Sequence, residues 1–168
     1  MIIGFPYHEG AKRSGARPGA DLGPDSFRRF VKQIGSLHNF EYNVDLKAAL
    51  GQIADYGNIA IEDKPSLEDL QNKLGRKVTA CLERGNKVFV VGGSRDLFAP
   101  VAKALLEQEG KKSLFVAINH SLDTKPLLQG DVAHSLSAHR PLLQSLTADK
   151  GKFLLFGANG INISQIDK

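Results

Sequence analysis

The residues best placed to do chemistry lie in two short stretches. In Ser113–Pro126, SLFVAINHSLDTKP, an apolar run stops abruptly at Asn119, His120, Ser121 and Asp123. In Lys87–Asp96, KVFVVGGSRD, a second apolar run ends in Gly92–Gly93–Ser94–Arg95–Asp96. Amide, imidazole, hydroxyl, carboxylate and guanidinium groups gathered in one place can ligate a metal, move a proton or hold an anion. Each apolar run reads as a buried parallel strand. Open α/β sheets bind ligands at the carboxyl ends of such strands. The helical pattern between the two stretches makes them one βαβ unit, with both polar tips facing a shared site.

The elements that must position this site alternate along the chain. Ile2–Pro6 reads as a short strand ending in a turn. His8–Pro24, HEGAKRSGARPGADLGP, reads as a long loop, and a loop of that length in a compact domain is functional or disordered. A helix follows over Ser26–Ile34, with Phe27, Phe30, Val31 and Ile34 on one face. Gly35–Asn43 reads as connecting chain, Leu46–Leu50 as a short helix or irregular segment, and Ile53–Gly57 as a strand. Pro65–Ser66 opens the clearest helix, with Ser66 as cap and Asp69 at the capping-box spacing. Its apolar stripe is Leu67, Leu70, Leu74, Val78 and Cys81, and Gly85 ends it.

Beyond the Lys87–Val91 strand, Phe98–Gln108 is an amphipathic helix ending near Gly110. Ser113–Ile118 is the next strand, and Asp123–Ser137 a second long polar loop carrying Lys125, His134 and Ser135. Pro141–Leu146 is a short helix, and Lys152–Phe156 a strand followed by Gly157–Ala158–Asn159–Gly160. Alternating strands and helices predict one domain over residues 1–168, a three-layer α/β/α fold on a parallel sheet.

Composition narrows the partners. The chain has 168 residues, a net charge of +4 and an ordinary hydrophobic content of 42%, enough for one domain with a real core. No apolar run is long enough to span a bilayer, and the first residues do not form a signal peptide, so no membrane partner is expected. Basic residues are dispersed and lack an aromatic platform beside them, which argues against nucleic acid. The single cysteine, Cys81, lies on a helix's apolar side and reads as a packed thiol. A cytoplasmic address is the expectation.

Five stretches, taken in order, resemble the ureohydrolases: arginase, agmatinase and most closely formiminoglutamase. GFPYHEG and the loop to Gly23–Pro24 look like the family's first strand and substrate-entry loop. VVGGSRD falls where the family has a Gly-Gly strand end with its first metal-binding histidine. INHSLDTKP falls on Asp-Ala-His-x-Asp. HSLSAHRPLL resembles the loop with a histidine near the substrate, and FGANG the next strand end. The resemblance implies hydrolysis of a linear amidine C–N bond, with N-formimino-glutamate giving glutamate and formamide. It also implies two Mn²⁺ ions bridged by hydroxide, and assembly as a homo-oligomer.

Carried over residue by residue, the ligand set is depleted. The first histidine falls on Arg95. The first Asp of the second motif falls on Asn119, its His on Ser121, and its last Asp on Asp123. His120, one position away, is a possible substitute ligand. The expectation is a manganese site lost or weak here, with the Arg95 guanidinium pairing instead with Asp96 or Asp123. The resemblance assigns His134 as the substrate-side proton shuttle, and Lys125, Ser135 and Arg140 to substrate binding. Solvated loop residues are the plainer reading of His134 and Lys125, and His38 and His139 read most simply as exposed. Arg13 and Arg17 could steer an anionic substrate, and surface charge is the plainer reading.

Family members are about twice this length, with an eight-stranded sheet whose last two strands lie between its third and fourth. This chain supplies about five strands, so the sheet is expected either to gap in the middle or to close with altered pairing. The functional expectation is a formiminoglutamase-like protein lacking metal and activity. The alternatives are a non-catalytic partner subunit or ligand-binding pseudoenzyme, completed by another chain, and a nucleotide-binding α/β protein using the Gly92–Gly93 turn.

Overall fold

The computed structural model describes residues 1–35, 37–45, 47–108 and 112–159, side chains at 48 and 49 aside. Leu46, Gly110, Gly160 and Lys168, which figure in the expectations above, lie outside the described residues.

Strand β1 (Ile2–Phe5) is the centre of a three-stranded parallel sheet, between β4 (Asp55–Asn58) and β5 (Phe89–Gly92). Strands β6 (Ser113–Ile118) and β7 (Gly151–Phe156) form a second parallel sheet, paired in register along all six residues. β5 and β6 are not hydrogen-bonded to each other. The gap in mid-sheet is therefore what the described chain adopts.

Helix α4 (Leu67–Glu83) anchors the first sheet. Ser66 and Asp69 complete a reciprocal capping box, with the Asp69 amide donating to Ser66 Oγ at 3.1 Å and the Ser66 amide to Asp69 Oδ2 at 3.3 Å. The stripe Leu67, Leu70, Leu74, Val78 and Cys81 is buried against Ile3, Phe5 and Ile59, so the thiol is packed as expected. Helix α5 (Phe98–Leu106) lies against α4 and reaches both cores. Its Ala104 joins the first, and its Ala102 packs with Phe115 and Leu142 in the second. Leu142 comes from α6 (Arg140–Ser145).

On the opposite side of the first sheet lies α2 (Gly23–Ile34), which starts three residues earlier than the sequence suggests. Pro24 tolerates the first turn, where its missing N–H is no loss. Gly23 sits so near the Gly92 carbonyl that a Cβ there would lie 2.6 Å from its oxygen. Phe27 meets Phe89 at 5.6 Å between ring centroids, while Phe30 and Ile34 remain exposed.

Three expectations are corrected. The His8–Pro24 loop is largely folded, into α1 (Glu9–Arg13) and a 3-10 turn, Ala20–Leu22. Arg13, read as surface charge, pins α1 by donating to Glu68 Oε1 at 2.8 Å and to the Ala133 carbonyl at 3.0 Å. Gly35–Asn43 is not plain connecting chain. His38–Asn39 (β2) pairs antiparallel with Val44–Asp45 (β3), ahead of the short α3 (Lys47–Leu50).

Candidate functional site

The polar tips of β5 and β6 do come together. Beyond β5, Gly92 and Gly93 serve packing: a Cβ on Gly92 would overlap Leu97, and one on Gly93 the Tyr7 carbonyl. The chain then enters a 3-10 turn, Arg95–Leu97, which hands over to α5. From that turn the Arg95 guanidinium reaches across to the end of β6. Its Nη1 lies 3.1 Å from Asp123 Oδ2, 3.3 Å from Asn119 Oδ1 and 3.5 Å from Ser121 Oγ.

Asp123 is the hub. Its side chain is wholly buried and its backbone is left-handed, at φ 52°. Oδ1 accepts from Ser121 Oγ at 2.6 Å, and Oδ2 accepts from Asn119 Nδ2 at 2.7 Å as well as from Arg95. A buried carboxylate is tolerated only when paired and hydrogen-bonded, and both conditions are met. Of the two partners expected for Arg95, the structure selects Asp123.

A second segment clamps this loop in place. The His139 amide donates to the Asp123 carbonyl at 3.0 Å, and His139 Nδ1 donates to the Leu122 carbonyl at 2.6 Å. Arg140 Nη1 donates to the Thr124 carbonyl at 3.1 Å, and the Lys125 amide to the Leu136 carbonyl at 3.0 Å. Four bonds to consecutive residues hold a conformation that a non-glycine residue adopts at a cost. His139, expected to be exposed, is buried, its ring 4.5 Å from that of Phe98 and 5.3 Å from that of Phe153. Those aromatics come from distant chain positions, so no local signal marked it.

The remaining site residues scatter. His134 is buried, not a solvated loop residue. Nε2 bonds the Pro126 carbonyl at 3.0 Å, and Nδ1 lacks a partner among the described residues. Ser135 is buried and shares a 2.8 Å hydrogen bond with Ser14. Lys125 extends an exposed side chain, and His120 is exposed at the strand tip. His8 is bonded to Asp21.

Asp96 faces away from the Arg95 pair. It is 1% exposed, with Ser94 Oγ donating to Oδ1 and Oδ2 unpartnered among the described residues. Burial pushes its carboxyl up to about 6. Gly10 of α1 presses on it, so closely that a Cβ there would lie 2.5 Å from Asp96 Cγ. Among the described residues no group of three or more His, Cys, Asp or Glu side chains converges as for a metal ion. None of their helices is long and apolar enough to cross a membrane.

A parallel α/β sheet, a Gly-Gly strand end and an acidic strand tip define the class. The arginase family model matches residues 1–167, and the chain belongs to that family. Within it, the chain is 31% identical to a formimidoylglutamase from Salmonella newport, over 90% of this chain and 44% of the relative. A Trypanosoma cruzi formiminoglutamase solved with Mn²⁺ superposes with TM-score 0.84 at 34% identity, covering 99% of this chain and 54% of that one. A Bacillus subtilis formimidoylglutamase, at 16% identity and TM-score 0.77, shares the fold. The chain spans about half the length of the curated relatives it matches.

Proposed function

We propose that this chain is a formiminoglutamase-like pseudoenzyme, in which an ion pair stands where the family binds its first metal. The observation that carries the reading is the contact between Arg95 and Asp123. The donor set does not fit a dinuclear manganese centre. Both Asp123 oxygens already accept hydrogen bonds, Asn119 and Ser121 are weak neutral donors to a metal, and the guanidinium is a fixed cation. A divalent ion would have to displace that cation and leave it stranded beside the metal.

The residues assigned to substrate keep separate roles in this reading. Lys125 is the exposed cation that would meet a carboxylate of N-formimino-glutamate, the substrate implied by the formimidoylglutamase relatives. Arg140 and Ser135 position the loops that carry Lys125 and His134. His134, buried with its Nε2 on the Pro126 carbonyl, holds the polar loop. On this view the chain acts as a ligand-binding or partner subunit, not as the hydrolase.

The test is a titration of the purified chain with Mn²⁺, followed by calorimetry and thermal melting, with glutamate and formamide release from N-formimino-glutamate measured alongside. The expected result is no Mn²⁺-dependent rise in Tm and no turnover. A metal bound by the folded state must raise Tm by mass action, so a clear rise accompanied by turnover would overturn the proposal.

A further inference from the structure

Resting on the reading that the Arg95–Asp123 pair stands in place of a metal, we propose that the outer edge of the Arg95 guanidinium is a binding site for a ligand carboxylate. A guanidinium is a fixed planar fork of N–H donors. Among the described residues, every hydrogen bond of Arg95 leaves from one nitrogen. Nη1 alone serves Asp123 Oδ2 at 3.1 Å, Asn119 Oδ1 at 3.3 Å and Ser121 Oγ at 3.5 Å. Nε and Nη2 have no partner there. The N–H groups of those two nitrogens run parallel along one edge, the spacing that matches the two oxygens of a carboxylate.

Arg28 of α2 shows the same arrangement with the edge filled. Its Nη1 bonds an amide oxygen, Asn58 Oδ1, and a carboxylate, Asp25 Oδ1 at 3.4 Å. Its Nε lies 2.6 Å from Asp55 Oδ2 and its Nη2 2.9 Å from Asp55 Oδ1. Arg95 repeats the Nη1 half of this pattern, with Asn119 as the amide and Asp123 as the acid, and lacks the second carboxylate. Arg28 also shows that one guanidinium in this protein serves two carboxylates at once.

The open edge is accessible and held in place. The Arg95 side chain is 40% exposed, at the carboxyl ends of parallel strands, where α/β sheets bind ligands. Its contacts to Asn119, Ser121 and Asp123 already fix the guanidinium, so little side-chain freedom is lost when a ligand docks. Charge sets the ligand class. Asp123 is wholly buried, with both oxygens hydrogen-bonded, and balances the Arg95 charge. A neutral pair accepts a carboxylate monoanion more readily than a phosphate dianion, and the guanidinium repels an amidinium. The ligand end that docks here is therefore an acid and not an amidine.

The experiment titrates the full chain, labelled with ¹⁵N-arginine, with glutarate and follows the arginine Nε–H resonances by NMR. Glutaramide, its uncharged diamide, and acetamidine are titrated alongside. The expected result is a saturable shift of the Arg95 resonance with glutarate and with neither control, while Arg28, already engaged by Asp55, stays unmoved. Arg95→Lys keeps a cation beside Asp123 but loses the fork, so it should weaken glutarate binding at least tenfold. If that variant fails to fold, the resonances of the unmodified chain decide alone. An unmoved Arg95 resonance would overturn the proposal, as would an equal shift with glutaramide or undiminished affinity in Arg95→Lys. A parallel Mn²⁺ titration separates the two readings. Mn²⁺ binding that frees Arg95 from Asp123 would sink the pseudoenzyme reading and this inference with it, whereas a chain silent to both Mn²⁺ and glutarate would overturn the inference alone.

Discussion

β1 and β6 are both short, apolar, parallel strands, yet their side chains meet different fates. Ile3 and Phe5 of β1 are fully buried under α4, and the other face of that strand lies under α2. In β6 only Phe115 and Ala117 are buried, while Leu114, Val116 and Ile118 on the alternate face are exposed. The difference lies not in hydrophobicity but in layering: among the described residues three layers meet around β1 and two around β6–β7. The Arg95–Asp123 pair joins the tip of the fully layered sheet to the tip of the half-covered one, so the candidate site straddles that divide.

The sharpest way to break this comparison is a pair of truncations read by urea unfolding. Phe5→Ala should cost about 3–5 kcal/mol, the usual penalty for emptying a buried aromatic position. Ile118→Ala should change stability by no more than about 0.5 kcal/mol, because its side chain is already in water. Equal costs would mean that the β6–β7 face is covered in solution.

Asp96 tests the fully layered side by pH. Its folded carboxyl is raised from 3.8 to about 6 by burial, so the folded state keeps a proton that the unfolded chain releases between those values. The associated stability is fully present below about pH 4 and is lost as pH rises through about 6. Asp96→Asn, neutral throughout, should gain on the order of 2–3 kcal/mol relative to wild type between pH 4 and pH 7. A difference flat with pH would show that Asp96 is ionised and solvated.

At the divide itself, Arg95→Ala strands the buried Asp123 carboxylate without its cation, leaving it the bonds from Asn119 and Ser121. The expected loss is about 2 kcal/mol, below the full penalty for a broken buried pair because Arg95 is 40% exposed. Deprotection of amides 119–125 by hydrogen exchange should accompany it. The smallest effect belongs to the α4 cap: Ser66→Ala should cost about 1 kcal/mol and leave exchange in β6–β7 unchanged. Loosening of β6 in that variant would show that the two regions unfold as one unit.

Much of this was legible in the chain. The α4 stripe, its cap and the apolar strands announce themselves because helical and strand periods are local properties. The Gly-Gly turn and the Asn119–Asp123 tip were legible as a site for the same reason. The ordered run of motifs pointed to the family, and to a sheet either broken in the middle or re-paired; the structure has the break. What escaped were features made by distant partners. His139 looked exposed because Phe98 and Phe153, which enclose it, lie far off in sequence. The first loop looked unstructured because α1 is held from outside, by Glu68 and the Ala133 carbonyl.

The sequence by itself determined the buried stripe of α4, the main run of strands and helices, and the residue types at the strand ends, Arg95, Asn119, Ser121 and Asp123, since each depends on residue type and near-neighbour spacing. Tertiary structure alone decided that Arg95 pairs with Asp123 and leaves Asp96 buried and protonation-prone. That choice turns on the direction in which a 3-10 turn aims two adjacent side chains, and on a left-handed Asp123 clamped by residues 136–140. Tertiary structure also decided that the helices span a break which the strands beneath them leave open, because strand pairing is settled by which edges meet in space and not by the strands' own composition.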